Sequence, residues 1–321
     1  MKVSYSLNGQ KLDSDHMRVI VGSTHYTGLS PVVNTLQVKG RHGVVVDSLV
    51  PRLDAPELTL KVAAWGGDSD SRMARFRSLC LLTPGLTIGR TEETDDGLSR
   101  DMLTRAVCTS CEPDDEDERP FQDLRRMTAV FSLPDAFWRS DGYLRQELAL
   151  TGGRLLRGEI KLPSGGYWTR WAGEANNSKS LMADFFTMWM GEPNNSPSIL
   201  FDRLPAGWLS DAPIGDMIMR FPAVTSLTVR DPASGTSVTW SGTRENGKPW
   251  LYINVSERAA WTSASDSAWS GVGTDVSTNL DYEGEWLEIH PSISAGEYAL
   301  NIKTTGVSSG SIVVRFRQSW Q

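Results

Sequence analysis

The chain has 321 residues, of which 39% are hydrophobic and 22% charged, and its formal net charge at pH 7 is −7. This composition is typical of a globular protein with room for two ordinary domains or one large all-β unit. The negative balance argues against a protein that holds nucleic acid by neutralising phosphates, and no apolar run approaches the roughly 18 residues of a membrane span. Three cysteines exclude a disulfide framework and indicate synthesis in a reducing cytoplasm. The opening stretch "MKVSYSLNGQ" lacks the apolar core of a secretory signal, so none is expected.

Short strands separated by turns are predicted over residues 1–65. In "KVSYSLNG" apolar and polar residues alternate up to an Asn8-Gly9 turn, and "VVNTLQVKGRHGVVVDSLV" contains two strand-like stretches around residues 40–43. "PELTLKVAAW" has the same period of two, which is that of a strand with one buried face.

One short helix is predicted next, over residues 69–82 in "SDSRMARFRSLCLLTPG". Ser69 or Asp70 can cap its N-terminus, and Pro84-Gly85 ends it. Its apolar residues fall on one face at helical spacing: Met73, Phe76, Leu79 and Cys80.

The middle of the chain suggests a domain boundary. The acidic run "EPDDEDERP" is predicted to be an exposed loop, and "RRMTAVFSLPDAFWRSDG" a strand followed by a corner that carries Phe137 and Trp138. Ten of the twelve Trp residues lie beyond residue 145. We therefore expect one domain over residues 1–145 and a second over residues 146–321.

Strands dominate the second domain after a helix predicted over residues 178–190 in "NNSKSLMADFFTMWMGEP". "SLTVRDPASGTSVTW" and "GTRENGKPWLYINVS" predict two hairpins, which turn at Asp231-Pro232 and at Asn246-Gly247. "GEYALNIKTTGVSSGSIVVRFRQSW" alternates on both sides of a Gly/Ser turn and predicts a closing hairpin. The fold class is all-β: an N-terminal β-sandwich or barrel-like domain with one short helix, and a C-terminal β-sandwich.

Cys108 and Cys111 have the one metal or redox spacing of the chain. A structural zinc site needs four ligands and only Cys80 remains, and the acidic residues that follow Cys111 would raise a thiol pKa and blunt its reactivity. Structural cysteines are the preferred interpretation.

Acidic residues are the other candidates for chemistry. Paired carboxylates could serve glycoside hydrolysis or bind Ca²⁺, but solvated loops are the preferred interpretation. The four histidines lack metal or catalytic spacing, and the chain has no nucleophile elbow, phosphate loop or dinucleotide fingerprint. We therefore predict no enzyme, no catalytic or metal-binding residue and no cofactor. The acidic residues considered are Glu92, Glu93, Asp95, Asp96 and residues 114–118.

The tryptophans of the second half can be either core or binding residues. A buried aromatic side chain removes about 150–250 Å² from water, so Trp240, Trp286 and Trp320, which fall on predicted strands, are expected in the core. Four others lie in Ser-, Gly- and Asn-rich stretches and are predicted to contact a partner or a glycan: Trp168, Trp171, Trp261 and Trp269.

In their order along the chain, these pieces resemble the distal tail protein family of long-tailed, non-contractile bacteriophages. The N-terminal half resembles the family in "YSLNG", "LQVKGRHGVVV", the short helix and "RRMTAVFSLPDAFWRSDG". The C-terminal half, with "LTVRDPASGTSVTW", "KPWLYINVS", "GEWLEIHPSISAGEYALNIKTTG" and "IVVRFRQSW", is similar to the galectin-like sandwich that many of these proteins carry. The resemblance covers residues 1–145 and 210–321, and residues 151–205 are an insertion.

The resemblance implies a structural component of a phage tail tip. Such proteins form a hexameric ring that joins the tail tube to the hub and receptor-binding parts of the baseplate, around the channel through which DNA leaves. The implied partners are further copies of the chain, the tail tube protein and the tail-tip hub and baseplate proteins. The implied location is the virion, after synthesis in the host cytoplasm, and the ring interface is expected mainly in residues 1–145.

Two rival functions remain open from the sequence. The first is a carbohydrate-binding adhesin that holds host-surface glycans through the four loop tryptophans. The second is a polysaccharide-degrading enzyme that uses the loop carboxylates.

Overall fold

Two units make up the chain in this computed structural model: Met1–Asp141 with Ser319–Gln321, and Gly142–Gln318. Antiparallel strands dominate both units, which confirms the predicted all-β class. No helix among the described residues has the length and apolar character needed to span a membrane. The structure describes residues 2–24, 28–37, 39, 42, 44–46, 52–93, 95, 99–114, 123–151, 154–155, 168–170, 179–181, 198–200, 210–222, 224–243, 247–283, 287–290, 299–306 and 309–321.

The elements of the first unit are β1 (Lys2–Leu7), β2 (Gln10–Lys11), β3 (Met17–Val19), β4 (Pro31–Val32), β5 (Thr35–Leu36), β6 (Val45–Val46), β7 (Arg52–Leu53), β8 (Glu57–Trp65), α1 (Ser69–Leu82), β9 (Thr87–Glu93), β10 (Ser99–Arg105), β11 (Val107–Pro113), β12 (Leu124–Ser132), β13 (Trp138–Ser140) and β28 (Ser319–Trp320). One sheet has the order β2-β1-β9-β10-β13-β28 and the other the order β11-β12-β8-β3. Both sheets and α1 contribute side chains to one core.

Local sequence explains the elements that frame this core. The Asn8-Gly9 turn joins β1 to β2, as predicted, with both residues at positive φ. On β8, Leu58, Leu60 and Val62 alternate with more exposed residues and face inward, because successive strand residues point to opposite faces.

The predicted helix is confirmed as α1. Its buried residues include Met73, Phe76 and Cys80, the face expected from helical spacing. The helix begins at Ser69, so the position before it is Asp68 and the predicted caps lie inside the first turn.

The elements of the second unit are β14 (Leu144–Thr151), β15 (Arg154–Leu155), β16 (Trp168–Arg170), β17 (Lys179–Leu181), β18 (Ser198–Leu200), β19 (Met217–Phe221), β20 (Ser226–Arg230), β21 (Ser237–Ser241), β22 (Trp250–Asn254), β23 (Ala259–Ser263), β24 (Thr274–Asp275), a 3₁₀ turn (Ser277–Asn279), β25 (Leu280–Glu283), β26 (Ala299–Thr305) and β27 (Ser309–Phe316). A seven-stranded sheet has the order β15-β14-β27-β19-β22-β23-β24. A five-stranded sheet has the order β18-β26-β20-β21-β25, and the two sheets share one core.

The closing segment folds differently from the predicted hairpin. β26 pairs with β18 and β20 in the five-stranded sheet, whereas β27 pairs with β14 and β19 in the seven-stranded sheet. Their alternating residues, such as Leu300 on β26 and Val314 on β27, are buried in the same core. The burial pattern was therefore predicted correctly, but the pairing of the two strands was wrong.

Three further expectations for the second half are corrected. The strand before Asn246-Gly247, β21, pairs with β20 and β25, while β22 pairs with β19 and β23, so these two described strands are not paired with each other as the predicted hairpin requires. Lys179–Leu181, predicted as the start of a helix, is a strand paired with β16, and residues 182–190 lie outside the described residues. Trp320 is a core residue as predicted, but of the first unit.

Candidate functional site: interaction surfaces of the two units

The outer face of the seven-stranded sheet carries a cluster of aromatic and arginine side chains. On β19, Met217, Met219 and Phe221 face the core of the second unit. The intervening residues of this strand and its neighbours therefore project from the opposite face, because the side-chain period of a strand is two. Arg220, on this outer face, is one member of the cluster.

The floor of the cluster is a stacked pair, Tyr252 and Trp261. Their ring centroids are 5.4 Å apart with an interplanar angle of 1°, and the two residues are direct cross-strand partners on β22 and β23. Trp261 is 5% exposed and lies on β23, so the prediction that it lies in a loop is wrong. The alternation across "WLYINVSERAAWTS" was the sequence signal that places it on a strand.

Three hydrogen bonds hold the loop after β23 over this pair. The Tyr252 hydroxyl donates to the Ser265 carbonyl oxygen (2.8 Å) and accepts from the Ala268 amide (3.1 Å). The Trp261 indole N–H donates to the Ala268 carbonyl oxygen at 2.8 Å. Trp269 is thereby placed edge-on to the Tyr252 ring, 5.3 Å between centroids, and remains half-buried.

Arginine and aromatic side chains alternate across the face. The Arg220 guanidinium carbon lies 4.5 Å from the Trp250 ring centroid and 5.9 Å from that of Trp269. Arg315 lies 4.9 Å from Trp269 and 5.2 Å from Tyr143. These distances fall within the range of cation–π attraction. We call this set the arginine–aromatic row: Trp250, Arg220, Trp269, Arg315, Tyr143 and Arg317.

Asp216 neutralises one end of the row. The Tyr143 hydroxyl donates to its Oδ1 at 3.0 Å, and Arg317 Nε lies 3.6 Å from its Oδ2. Burial, followed by the negative charge of Asp216, raises the pKa of Tyr143, so this hydroxyl stays protonated at neutral pH. At the other end Arg220 donates to the Asp266 carbonyl oxygen at 2.6 Å.

The row can bind flat or anionic groups. Half-buried aromatic rings stack on the apolar faces of sugar rings or other flat molecules, and guanidinium groups donate paired hydrogen bonds to carboxylate or phosphate. Arg315 contacts two aromatic rings, and no carboxylate among the described residues forms an ion pair with it. The row brings together one predicted contact residue, Trp269, with Trp261 beneath it. Trp168 begins β16, and its side chain lies outside the described residues, as does Trp171.

The first unit exposes apolar side chains on two short two-stranded ribbons. Two short ribbons, β4 with β7 and β5 with β6, follow one another between Ser30 and Asp54, whose backbones are hydrogen-bonded. We call the described residues of these two ribbons and their flanks, 30–37, 44–46 and 52–54, the apolar arm. Its exposed apolar residues are Val32, Val33, Leu36, Val44 and Val46, with Leu36 65% exposed.

The acidic candidate Glu92 is part of a buried ion triad. It is 1% exposed, accepts a hydrogen bond from Arg90 at one carboxylate oxygen, and from Arg100 at the other (2.5 Å). Arg90 lies 5.5 Å from the Trp138 ring and Arg100 5.1 Å from the Trp320 ring. A carboxylate that two guanidinium groups enclose in a core stabilises the packing of β9, β10, β13 and β28. It does not lie in an open cleft where it could act on a substrate.

The other candidates do not converge on a reactive centre. Asp114 accepts a hydrogen bond from the Thr128 hydroxyl, and the acidic residues 115–118 lie outside the described residues. Within the described part of the chain, no three His, Cys, Asp or Glu side chains are grouped to hold a metal ion.

His290 faces Asp231, with Nδ1 3.0 Å from Oδ2. Burial disfavours its charged form, but the hydrogen bond and charge of Asp231 outweigh burial and raise the pKa of His290.

The whole architecture is similar to that of a phage protein. No protein-family model matches the chain, and no curated protein matches it by sequence. The chain is similar to the crystal structure of the Dit (gp 19.1) protein of phage SPP1, described as a paradigm of the hub adsorption apparatus in phages that infect Gram-positive bacteria. The TM-score is 0.52 with 11% sequence identity over 100% of both chains.

Two weaker likenesses are to baseplate structures of phage P2. The activated conformation with Ca has a TM-score of 0.41 and 10% identity, over 99% of this chain and 98% of that chain. The activated conformation with Sr has a TM-score of 0.40 and 10% identity over the same shares. The fold likeness therefore rests on the SPP1 Dit protein, and at the level of the fold it confirms the resemblance to distal tail proteins: from end to end, the chain is folded like the SPP1 Dit protein.

Proposed function

We propose that the chain is a structural component of a bacteriophage tail tip, a distal tail protein. Six copies form a ring that joins the tail tube to the hub and receptor-binding parts of the baseplate, around the channel through which DNA leaves. The observation that carries the proposal is the likeness in fold to the SPP1 Dit protein over the full length of both chains. The protein is made in the host cytoplasm and ends in the virion.

The apolar arm supports assembly through the first unit. A lone two-stranded ribbon is marginally stable in water, and exposed apolar patches mark surfaces that a partner covers. Val32, Leu36 and Val46 are all exposed on such ribbons. A neighbouring copy of the chain is the partner we propose, because a contact repeated around a rotation axis closes into a ring.

Charge supports a channel through which DNA passes without binding. A formal net charge of −7 opposes retention of phosphates by the protein, since nucleic-acid affinity comes largely from lysine and arginine contacts. The protein needs no catalysis for this role. Its work is to hold neighbouring tail proteins in a fixed arrangement.

Electron micrographs of the purified full chain test the proposal. We expect class averages of rings with six-fold symmetry and a central opening. The matched variant Val32→Asp/Leu36→Asp places two charges on the arm and should give single subunits. Rings of another symmetry would overturn the hexamer, and rings that persist unchanged in the variant would overturn the arm as interface.

A second candidate function is glycan binding by the arginine–aromatic row. The half-buried Trp269, flanked by Arg220 and Arg315, is the observation that favours it, because aromatic rings stack on sugars. A glycan array with the full chain tests it. Trp269→Ala should abolish any binding, whereas Val272→Ala, an exposed apolar residue close by in the chain, should leave binding unchanged. Binding that survives Trp269→Ala would exclude the row as the site.

A further inference from the structure

The three cysteines of the chain converge in the core of the first unit. Cys80 lies in the last turns of α1, and Cys108 and Cys111 lie on β11, an edge strand against which α1 packs. Cys80 and Cys111 are each 4% exposed in the same core cluster, and Cys108 packs against that cluster. All three are free thiols.

A β-bulge explains how both cysteines of the Cys-x-x-Cys spacing reach one face. In a regular strand, residues three apart point to opposite faces. Here Cys108 pairs with Phe131 and Ser110 with Val130, so Thr109 is the extra residue and the register shifts between the two cysteines. A bulge of this kind puts residues three apart on the same side of the strand. Cys108 and Cys111 therefore both turn toward α1.

We propose that Cys80 and Cys111 are an oxidation site, which forms an internal disulfide joining the end of α1 to β11. The two thiols lose two protons and two electrons, and one molecule of hydrogen peroxide accepts them to become two molecules of water. The S–S bond replaces the two S–H bonds. This inference is independent of the proposed function, and its failure would leave that proposal untouched.

The surroundings of the three thiols favour this pair over the other two. Cys80 and Cys111 are both buried where α1 packs on β11, whereas Cys108 lies at the margin of this core. Interaction with the Cys111 thiol, followed by burial, raises the pKa of Cys80, and Cys108 contributes least; interaction with Cys80 lowers the pKa of Cys111, to which Arg77 also contributes. A thiolate is the reactive form of cysteine, so Cys111 is the better nucleophile. The Cys108 thiol is directed at the Ser110 carbonyl oxygen, 3.2 Å away. Cys108 and Cys111 stand side by side along one strand, an arrangement that does not direct their Cβ atoms at each other as a disulfide requires.

The packing around the pair allows the bond to form without a large opening. Cys111 Sγ lies 3.3 Å from the Met127 Sδ on β12, and thioether side chains adapt to small shifts of their neighbours. Cys108, which is more exposed, should react first with a bulky alkylating reagent. Because hydrogen peroxide is small, we expect it to reach the buried pair.

Peptide mapping of the folded full chain after treatment with hydrogen peroxide tests the inference. We expect one linkage between the peptides that carry Cys80 and Cys111, and it should not react with alkylating reagents. The intact mass should fall by two hydrogens, and Cys108 should remain a free thiol. Dithiothreitol should restore the original mass. A link that contains Cys108, a link between chains, or oxidation without any link would overturn the proposal.

Variants and stability provide an independent check. Cys108→Ser is the matched control and should keep the disulfide, whereas Cys111→Ser should lose it. Because the bond constrains the unfolded chain between residues 80 and 111, the oxidised wild type should unfold several degrees higher than the reduced protein. If a variant fails to fold, the wild-type peptide map alone decides the pairing. An unchanged or lower unfolding temperature in the linked protein would contradict a disulfide that fits the native fold.

Discussion

The two units differ in the surfaces that they leave open. Ten large hydrophobic side chains are exposed among the described residues, and nine of them lie in the first unit, with Val272 alone in the second. The second unit instead packs its outward aromatic residues between arginines on one sheet face. Clustered exposed aliphatic side chains mark surfaces that a partner covers, whereas an arginine–aromatic face is compatible with water. The contrast supports our proposal that the assembly contact lies in the first unit.

The units also differ in how they bury charge. The first unit encloses the triad of Glu92, Arg90 and Arg100 almost completely. The second buries Asp231, which accepts from the amides of Ala233 and Ser234 and faces His290. The first group joins one carboxylate to two guanidinium groups, whereas the second contains a histidine whose pKa is raised, so the two units should respond differently to substitution and to pH.

The largest effect is expected from Glu92→Gln. The change leaves two arginines in the core without their carboxylate, and breaking a buried ion pair costs about 3–5 kcal/mol. Hydrogen exchange should show lost protection in β1, β9, β10 and β13, with the second unit unchanged. Asp70→Asn removes an exposed partner of Arg125 and should cost about 0–1 kcal/mol. A loss below 1 kcal/mol for Glu92→Gln would contradict the triad as the ordering element of this sheet.

A slightly smaller effect is expected from Trp320→Ala, roughly 3 kcal/mol, because a large core side chain is removed from a short edge strand. The unit in which the stability is lost distinguishes the first unit from the second. Although Trp320 follows the last strand of the second unit in sequence, hydrogen exchange should locate the loss in the first unit. Reduced protection in β27 and β19 instead would contradict the assignment of the last residues to the first unit.

The smallest effect concerns the pH dependence of the second unit. A histidine whose pKa is raised on folding stabilises the fold fully below its unfolded pKa, near 6.5, and this stabilisation is lost as the pH rises through the folded value. We therefore expect the unfolding free energy of the second unit to fall as the pH is raised above about 6.5. His290→Gln should flatten this slope, and denaturant titrations across the range provide the measurement. A slope that is identical in the variant would contradict the His290–Asp231 contribution.

Sequence patterns predicted burial better than they predicted pairing. Period-two alternation identified the inward faces of β8, β26 and β27, and helical spacing identified the buried face of α1. Alternation is a property of one strand, however, and contains no information on which sheet the strand joins. That is why β26 and β27, adjacent in sequence, were assigned to a hairpin although they face each other across the core.

The candidate site was predicted only in part. Trp269 was expected at a surface and lies in the arginine–aromatic row, but the arginines of the row, which come from β19 and β27, are far apart in sequence. These arginines lie on one face because β19 and β27 are paired. Trp261 was assigned to a loop because it was counted among the tryptophans of Ser-, Gly- and Asn-rich stretches, although its neighbours form a strand. The convergence of Cys80 with Cys108 and Cys111 likewise depends on a bulge and a helix packing that local sequence does not specify.

The solution mass of the purified full chain tests the central claim most directly. Light scattering across a range of concentrations should give an assembly of six times 35.4 kDa for the wild type and a mass near 35.4 kDa for Val32→Asp/Leu36→Asp. A monomer at every concentration, or an assembly of the same mass in both proteins, would contradict a ring built on the apolar arm of the first unit.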